Sequence, residues 1–447
     1  NFVIGQGFLG LRLISVITAL GSVGFISFFV WHETRSGILG WLSGALYLAC
    51  FEISSGFFDL ARVDSLFAFL ILVGFWNLYR SDSKLRYCAS GLIIALSFFT
   101  KQSAVIVFLP LIIYLLISNW KRTWVLSLTV VLGISIPILL INKSTGGWFN
   151  YYMFYLPSEH GYSILDVVNF WVGDLFRPLG IAIGFSAIFL VAFIYNQIEN
   201  KAGRIDQLQE IENETENERP GQSRTQRNDR LVVLFALGAI AASWVTRASN
   251  GGGSNNVIPA YAVISIMFGL GLNSVSKDIQ GNIRNAITIL LLVFVQYVGL
   301  IYNPFNYIPT VADKQINQKL MEEIRKVPGN VLIPYRSHLP GMAGKKAHIH
   351  IVGLFELTDY FHGETQIEGI EIIDQIRSDI CDQQYGAIIL DQEIPWFQDQ
   401  IDAAYIKYGI IDTISDRRQS KFMRWQQGFE NFYVPDIDKE NERYCQN

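Results

Sequence analysis

Residues 57–70 read FFDLARVDSLFAFL, and three charged side chains, Asp59, Arg62 and Asp64, stand where an apolar run begins. Further on, 97–110 read SFFTKQSAVIVFLP, with Lys101 and Gln102 at the break between two apolar runs. A crossing of the bilayer takes about 20 apolar residues. Runs of this type fill 8–31, 37–58, 64–79, 86–100, 102–118, 123–142, 179–196, 231–246, 257–272 and 286–303, so the sequence predicts about ten spans, several of them short. The expected fold class is a mainly α, polytopic membrane protein with a small α/β domain at its C-terminus.

Composition agrees with that expectation. The chain has 447 residues, 51 % hydrophobic and 17 % charged, where a soluble domain carries about 25 % charge. Its mean hydropathy is +0.28 and its isoelectric point about 5.9. A purely soluble enzyme is excluded, and so is a nucleic-acid binder, because no basic patch stands out. Cys50 and Cys88 lie in apolar runs, and Cys381 and Cys445 are too few for a disulfide framework.

The distribution of Lys and Arg orients the spans. With the loop after the first span inside, the inner loops hold fourteen of them, among them Arg80, Lys84 and Arg86, and the outer segments hold five. This puts Asn1 and the tail outside the cytoplasm, in a multi-pass protein of the plasma or inner membrane. Asn1 is not a Met, and no charged region precedes an apolar one as in a signal peptide. The expectation is a chain that lacks its true N-terminus.

Two domains follow. Residues 1–303 form the membrane domain, with an outer loop at 143–178 and a cytoplasmic linker at 197–230 that is too polar to fold alone. Residues 304–447 read as an extracytoplasmic α/β domain with a parallel core: helix-like 314–326, GNVLIP (329–334), KKAHIHIVG (345–353), helix-like 368–384, YGAIILD (385–391) and helix-like 396–408. The tail has no nucleotide-binding glycine fingerprint. His348 and His350 alternate, but two ligands do not make a metal site. No metal site and no cofactor are expected, and dependence on a divalent metal stays open.

The unusual polar residues gather at one aqueous face. Asp59, Arg62 and Asp64 share it with Lys101 and Gln102, with Arg247, Asn250, Asn255 and Asn256 of TRASNGGGSNNVIPAYAV (246–263), and with Glu159, His160, Asp166, Asp174 and Arg177. Ionisable groups at membrane depth are functional when they converge. Each also has a plainer reading. Asp64 could cap its helix, Asp59 and Arg62 could pair at i, i+3, and Arg12, Lys101 and Arg247 could reach headgroups as anchors. The run WFNYYMFYLP (148–157) is equally an interface belt or a substrate platform.

Cations near headgroup depth can hold a lipid-linked phosphate, and a carboxylate can take the proton of an attacking hydroxyl. Glycosyl transfer from a polyprenyl-phosphate sugar needs both. The quoted motifs resemble the bacterial branch of the multi-spanning C-type glycosyltransferases, the group of the protein O-mannosyltransferases and the lipid A aminoarabinose transferase. The likeness lies in the helix starting at Asp64, in Thr100-Lys101 followed by Pro110, in Gly252, Asn255 and Pro259, and in FLGLRLIS (8–15) with Arg12. It covers residues 1–303 with scattered motifs and matches the tail in architecture only.

The resemblance implies an inverting, extracytoplasmic transferase. Its donor would be a polyprenyl-phosphate-linked sugar, its acceptor a hydroxyl on a protein, lipid or polysaccharide, and its surroundings membrane lipid. Asp64 would be a supporting acidic residue, and Lys101 and Arg247 would hold the donor phosphate beside Asn255; Asp59 and Arg62 are added to the substrate site by their local position alone. It also implies that the main catalytic carboxylate lies in a loop ahead of Asn1, so residues 1–447 alone are expected to be inactive. The alternatives are a lipid or solute transporter or flippase, and a membrane-tethered binding module working through its tail. Charges at span ends and the lack of an internal repeat weigh against transport.

Overall fold

The computed structural model describes residues 8–80, 83–159, 161–210, 220–278, 283–308, 310–348, 350–357, 367–390, 393–394, 396–409, 431–436 and 445. His160, and the side chains of Glu159 and of 200–227, lie outside that description. The chain divides into two compact units, Asn1–Tyr302 and Asn303–Asn447.

The first unit is helical: α1 (Phe8–Thr34), α2 (Gly37–Ala49), α3 (Asp64–Tyr79), α4 (Lys84–Thr100), α5 (Ala104–Ser118), α6 (Trp120–Ser144), α7 (Arg177–Glu210), α8 (Pro220–Ala248), α9 (Ile258–Asp278) and α10 (Ile283–Val298). Five stretches, Arg12–Thr34, Trp120–Ser144, Ile164–Glu199, Asn228–Ala248 and Ser254–Ser276, are long and apolar enough to cross a membrane, and four shorter apolar helices accompany them. The protein is a multi-pass, mainly α membrane protein.

Burial separates the helices by role. The span ending in α9 has 89 % of its window buried, whereas α6 has 6 %. The exposed helix is the more apolar, with a hydropathy of 2.5 against 1.6, because lipid accepts apolar side chains on every face. Helix α9 packs against α1, α2, α7 and α8. It approaches α2 and α7 so closely that a Cβ on Gly269 would strike Ser43 Oγ, and one on Gly271 would strike the Phe185 carbonyl.

Three sequence expectations change. The span expected over 37–58 is helical only to Ala49; Ser55 and Gly56 then take φ of 51° and 67°, left-handed conformations that no helix continues through. Residues 50–63 form a turn-rich segment leading into α3. The outer loop expected over 143–178 is largely helical, with π-helical turns at Tyr151–Tyr155 and Phe170–Phe176. The polar linker is shorter than 197–230, because α7 runs on to Glu210 and α8 starts at Pro220. A helix already nucleated in the membrane propagates cheaply into solvent.

The second unit holds α11 (Val311–Lys326), β1 (Asn330–Leu332), α12 (Ile351–Leu357), α13 (Ile367–Cys381), β2 (Tyr385–Leu390), α14 (Gln398–Ala404), β3 (Tyr405–Gly409) and β4 (Asn431–Pro435). The sheet order is β1-β2-β4-β3. Only β1 and β2 are parallel; β4 pairs antiparallel with both β2 and β3. The expected parallel core is therefore a mixed sheet, because alternation within a strand says nothing about its neighbour's direction. KKAHIHIVG supplies no strand among the described residues; α12 starts at Ile351, and His348 packs its ring at 5.2 Å from Tyr385. The helix-like run 396–408 is the short α14 followed by β3.

Cys381 and Cys445 form a disulfide with a Cα–Cα distance of 5.4 Å. Two cysteines 64 residues apart close one loop; a count made for small disulfide-dense scaffolds misses such a staple.

Candidate functional site

Helix α3 begins with Asp64 in its first turn, where the dipole favours a carboxylate. The Asp64 side chain is 1 % exposed and is met by two cations, Lys101 Nζ at 2.7 Å and Arg62 Nε at 3.0 Å. Asn255 Nδ2 donates to the same Oδ1 at 2.7 Å. Lys101 reaches it because α4 stops at Thr100, leaving Lys101 in extended backbone at φ −153° and ψ 128°. Its ammonium also donates to Asn256 Oδ1 at 2.7 Å. Burial disfavours the charged ammonium and holds the Lys101 pKa below its ordinary value, with Asp64 pulling the other way.

The segment before α3 adds a second pair. Arg12 Nη2 meets Asp59 Oδ2 at 2.7 Å, and Arg12 Nε donates to the Asp59 carbonyl at 3.1 Å. Ser15 Oγ donates to the Arg62 carbonyl at 3.0 Å. The i, i+3 pairing of Asp59 with Arg62 does not form; each turns to another partner. Arg12 is a clamp between α1 and this segment rather than a headgroup anchor. Arg62 lies with Cζ 5.2 Å from the Phe57 ring centroid, a cation–π contact, and remains half exposed.

Arg247, in the last turn of α8, forms a separate cluster. Its Nη1 meets Asp166 Oδ1 at 2.8 Å and its Nε meets Asp174 Oδ2 at 2.9 Å; Nη1 also donates to the Gly252 carbonyl at 3.0 Å. The same junction carries backbone bonds from Ser163 N to Ala248 O and from Asn250 N to Gly161 O. Trp244 Nε1 donates to the Val167 carbonyl at 3.1 Å. Arg247 thus ties the 161–176 stretch to the end of α8.

The loop from Ala248 to Val257 joins the two clusters. Gly252 is required where it stands, since a Cβ there would collide with the Arg247 carbonyl. Asn256 Nδ2 donates to the Thr246 carbonyl at 2.9 Å while its Oδ1 accepts the hydrogen bond of the Lys101 ammonium. Of the residues singled out from sequence, Asp64, Lys101, Arg62 and Asn255 meet directly, Asp59 stands in the adjoining pair with Arg12, and Arg247 is held apart. Asn256, which the sequence placed on the same aqueous face but not in the substrate site, joins the cluster through Lys101. No group of three or more His, Cys, Asp or Glu among the described residues could hold a metal ion.

No family model matches this chain, and no curated protein does. Solved structures of ArnT from Cupriavidus metallidurans are similar. The apo form superposes with a TM-score of 0.54 at 13 % identity, covering 95 % of this chain and 83 % of that one. The form bound to undecaprenyl phosphate gives 0.55 at 13 % identity, covering 98 % and 86 %. The chain has the fold of these proteins.

Proposed function

We propose that this protein is an integral-membrane glycosyltransferase that moves a sugar from a polyprenyl-phosphate donor to an acceptor hydroxyl on the extracytoplasmic side, with inversion. The observation that carries the reading is the balance around Asp64. Two cations and the Asn255 amide surround one carboxylate at the end of a membrane helix, with Asn256 holding Lys101, and the surplus positive charge suits a phosphate. One solved protein of the same fold was crystallised with undecaprenyl phosphate.

In this reading Lys101 and Arg62 hold the donor phosphate and Asn255 orients Asp64, which positions Lys101. The acceptor oxygen forms the new bond to the anomeric carbon as the bond to the phosphate oxygen breaks. The lipid phosphate leaves with the electron pair, and the cations stabilise that charge. Asp59 and Asp64 are each committed to cations, so neither serves as the base, and the acceptor proton passes to the departing lipid phosphate, which as a monoester carries one more negative charge than the donor diester. Arg247 shapes the site through the 161–176 stretch instead of touching the phosphate. The Cys381–Cys445 disulfide supports an oxidising location for the second unit.

The test uses the full-length protein in membrane vesicles with a radiolabelled polyprenyl-phosphate sugar. Asp64→Asn and Lys101→Ala are expected to lower transfer at least about tenfold, the effect of losing ~1.4 kcal/mol of interaction, with membrane insertion unchanged. Unchanged transfer in both variants overturns the site. Movement of labelled lipid across the bilayer with no glycosylated product overturns the reaction in favour of a flippase.

A further inference from the structure

Helix α3 has a polar group at its other end as well. Trp76, Asn77 and Arg80 join Arg86 of α4 around a cleft of about 240 Å³. The two arginines are held side by side, with Arg86 Nη1 donating to the Arg80 carbonyl at 2.6 Å. Arg80 Cζ lies 5.5 Å from the Trp76 ring centroid, and Arg80 Nη1 lies 3.1 Å from His32 Nε2. His32 Nδ1 is 2.7 Å from Glu33 Oε1. With the Nδ1 proton directed to Glu33, Nε2 accepts from Arg80. Glu33 is thus engaged on the far side of His32, and among the described residues neither Arg80 nor Arg86 forms an ion pair with a carboxylate.

Depth argues for what fills the cleft. Sixteen helical residues in α3 rise about 24 Å, less than the ~30 Å of a hydrocarbon core. If Asp64 sits at one boundary, Arg80 lies at or just inside the other, where lipid phosphates are the nearest anions. Trp76 gives the cleft its one aromatic wall and is itself fixed by Phe28 edge-on at 5.2 Å, His32 at 5.3 Å and Tyr79 stacked at 5.9 Å. Tryptophan belongs at this interfacial depth, and guanidinium forks match phosphate geometry. A soluble phosphate has no use for the aromatic wall.

We propose that this cleft binds the phosphate of an anionic phospholipid headgroup, with Arg80 and Arg86 as its ligands and Trp76 as the wall against the glycerol end of the lipid. The proposal is independent of the transferase reading, since it concerns the opposite end of α3 and needs no donor or acceptor.

Native mass spectrometry of the full-length protein tests it, with phosphatidylglycerol, phosphatidylcholine and inorganic phosphate as probes. One phosphatidylglycerol adduct is expected, at about fivefold or greater preference over phosphatidylcholine, and lost to the phosphatidylcholine level in Arg80→Gln/Arg86→Gln. Arg86 is exposed, so Arg86→Gln alone keeps the fold and is expected to weaken the adduct about threefold. An adduct of equal strength in wild type and both variants overturns the proposal. Displacement of the lipid by inorganic phosphate at matching concentration overturns the lipid assignment in favour of a soluble phosphate.

Discussion

The Asp64 cluster and the Arg247 cluster use the same chemistry with opposite charge balance. Around Asp64, one buried carboxylate is shared by Lys101 and Arg62. Around Arg247, one cation is shared by Asp166 and Asp174. The first has positive charge left over and attracts an anion; the second is already short of it and repels one. Both are touched by the same connecting loop, through Gly252 and through Asn255, so proximity to the Gly-rich segment does not tell a ligand from a strut. The count of charges around each group does.

Removing the shared partner strikes hardest where burial is deepest. Asp64→Ala leaves Lys101 buried without its counter-ion, and breaking such a pair from one side costs about 3–5 kcal/mol. Thermal unfolding in detergent is expected to show a lower midpoint than for any other single change at either cluster, and an unchanged midpoint breaks the contrast.

The Arg247→Met variant is expected to cost less, about 2 kcal/mol for lost charged hydrogen bonds, because Asp166 and Asp174 are partly exposed. Hydrogen exchange should rise across 161–176. Affinity for undecaprenyl phosphate should stay within about threefold of wild type, whereas Lys101→Gln loses about tenfold, or ~1.4 kcal/mol. Reversal of those two affinities would make Arg247 the phosphate ligand after all.

The smallest effect belongs to Arg12→Ala. Its pair with Asp59 is partly solvated, with side chains 30 % and 24 % exposed, so about 0.2–1 kcal/mol is expected. A loss as large as that of Asp64→Ala would extend the buried site to Asp59.

Much of the helical frame was legible before any coordinates. Apolar runs at 64–79, 102–118 and 123–142 correspond to α3, α5 and α6 within a few residues, since hydropathy and the need to satisfy backbone groups in lipid act locally. The run at 37–58 misled because it is apolar throughout while its helix ends at Ala49; apolarity marks burial, and Ser55 and Gly56 set the path. Lys101 stood out from its break between two runs. Asn256 was noted on the same face but given no role, because an Asn in a polar loop has no signature until its partner is known. The partnerships of Arg12 and Arg247 were equally out of reach, since each competes with an ordinary surface anchor.

Local order in the chain thus decided that this is a membrane protein of many helices, where they run and which residues are anomalous in them. Which anomalies meet was decided only by folding. Asn255 bonds a carboxylate 191 positions earlier, and Lys101 bonds an amide 155 positions later. Such contacts depend on how α3, α4 and the loop before α9 pack, and side-chain charge acts over ångströms of space rather than along the sequence.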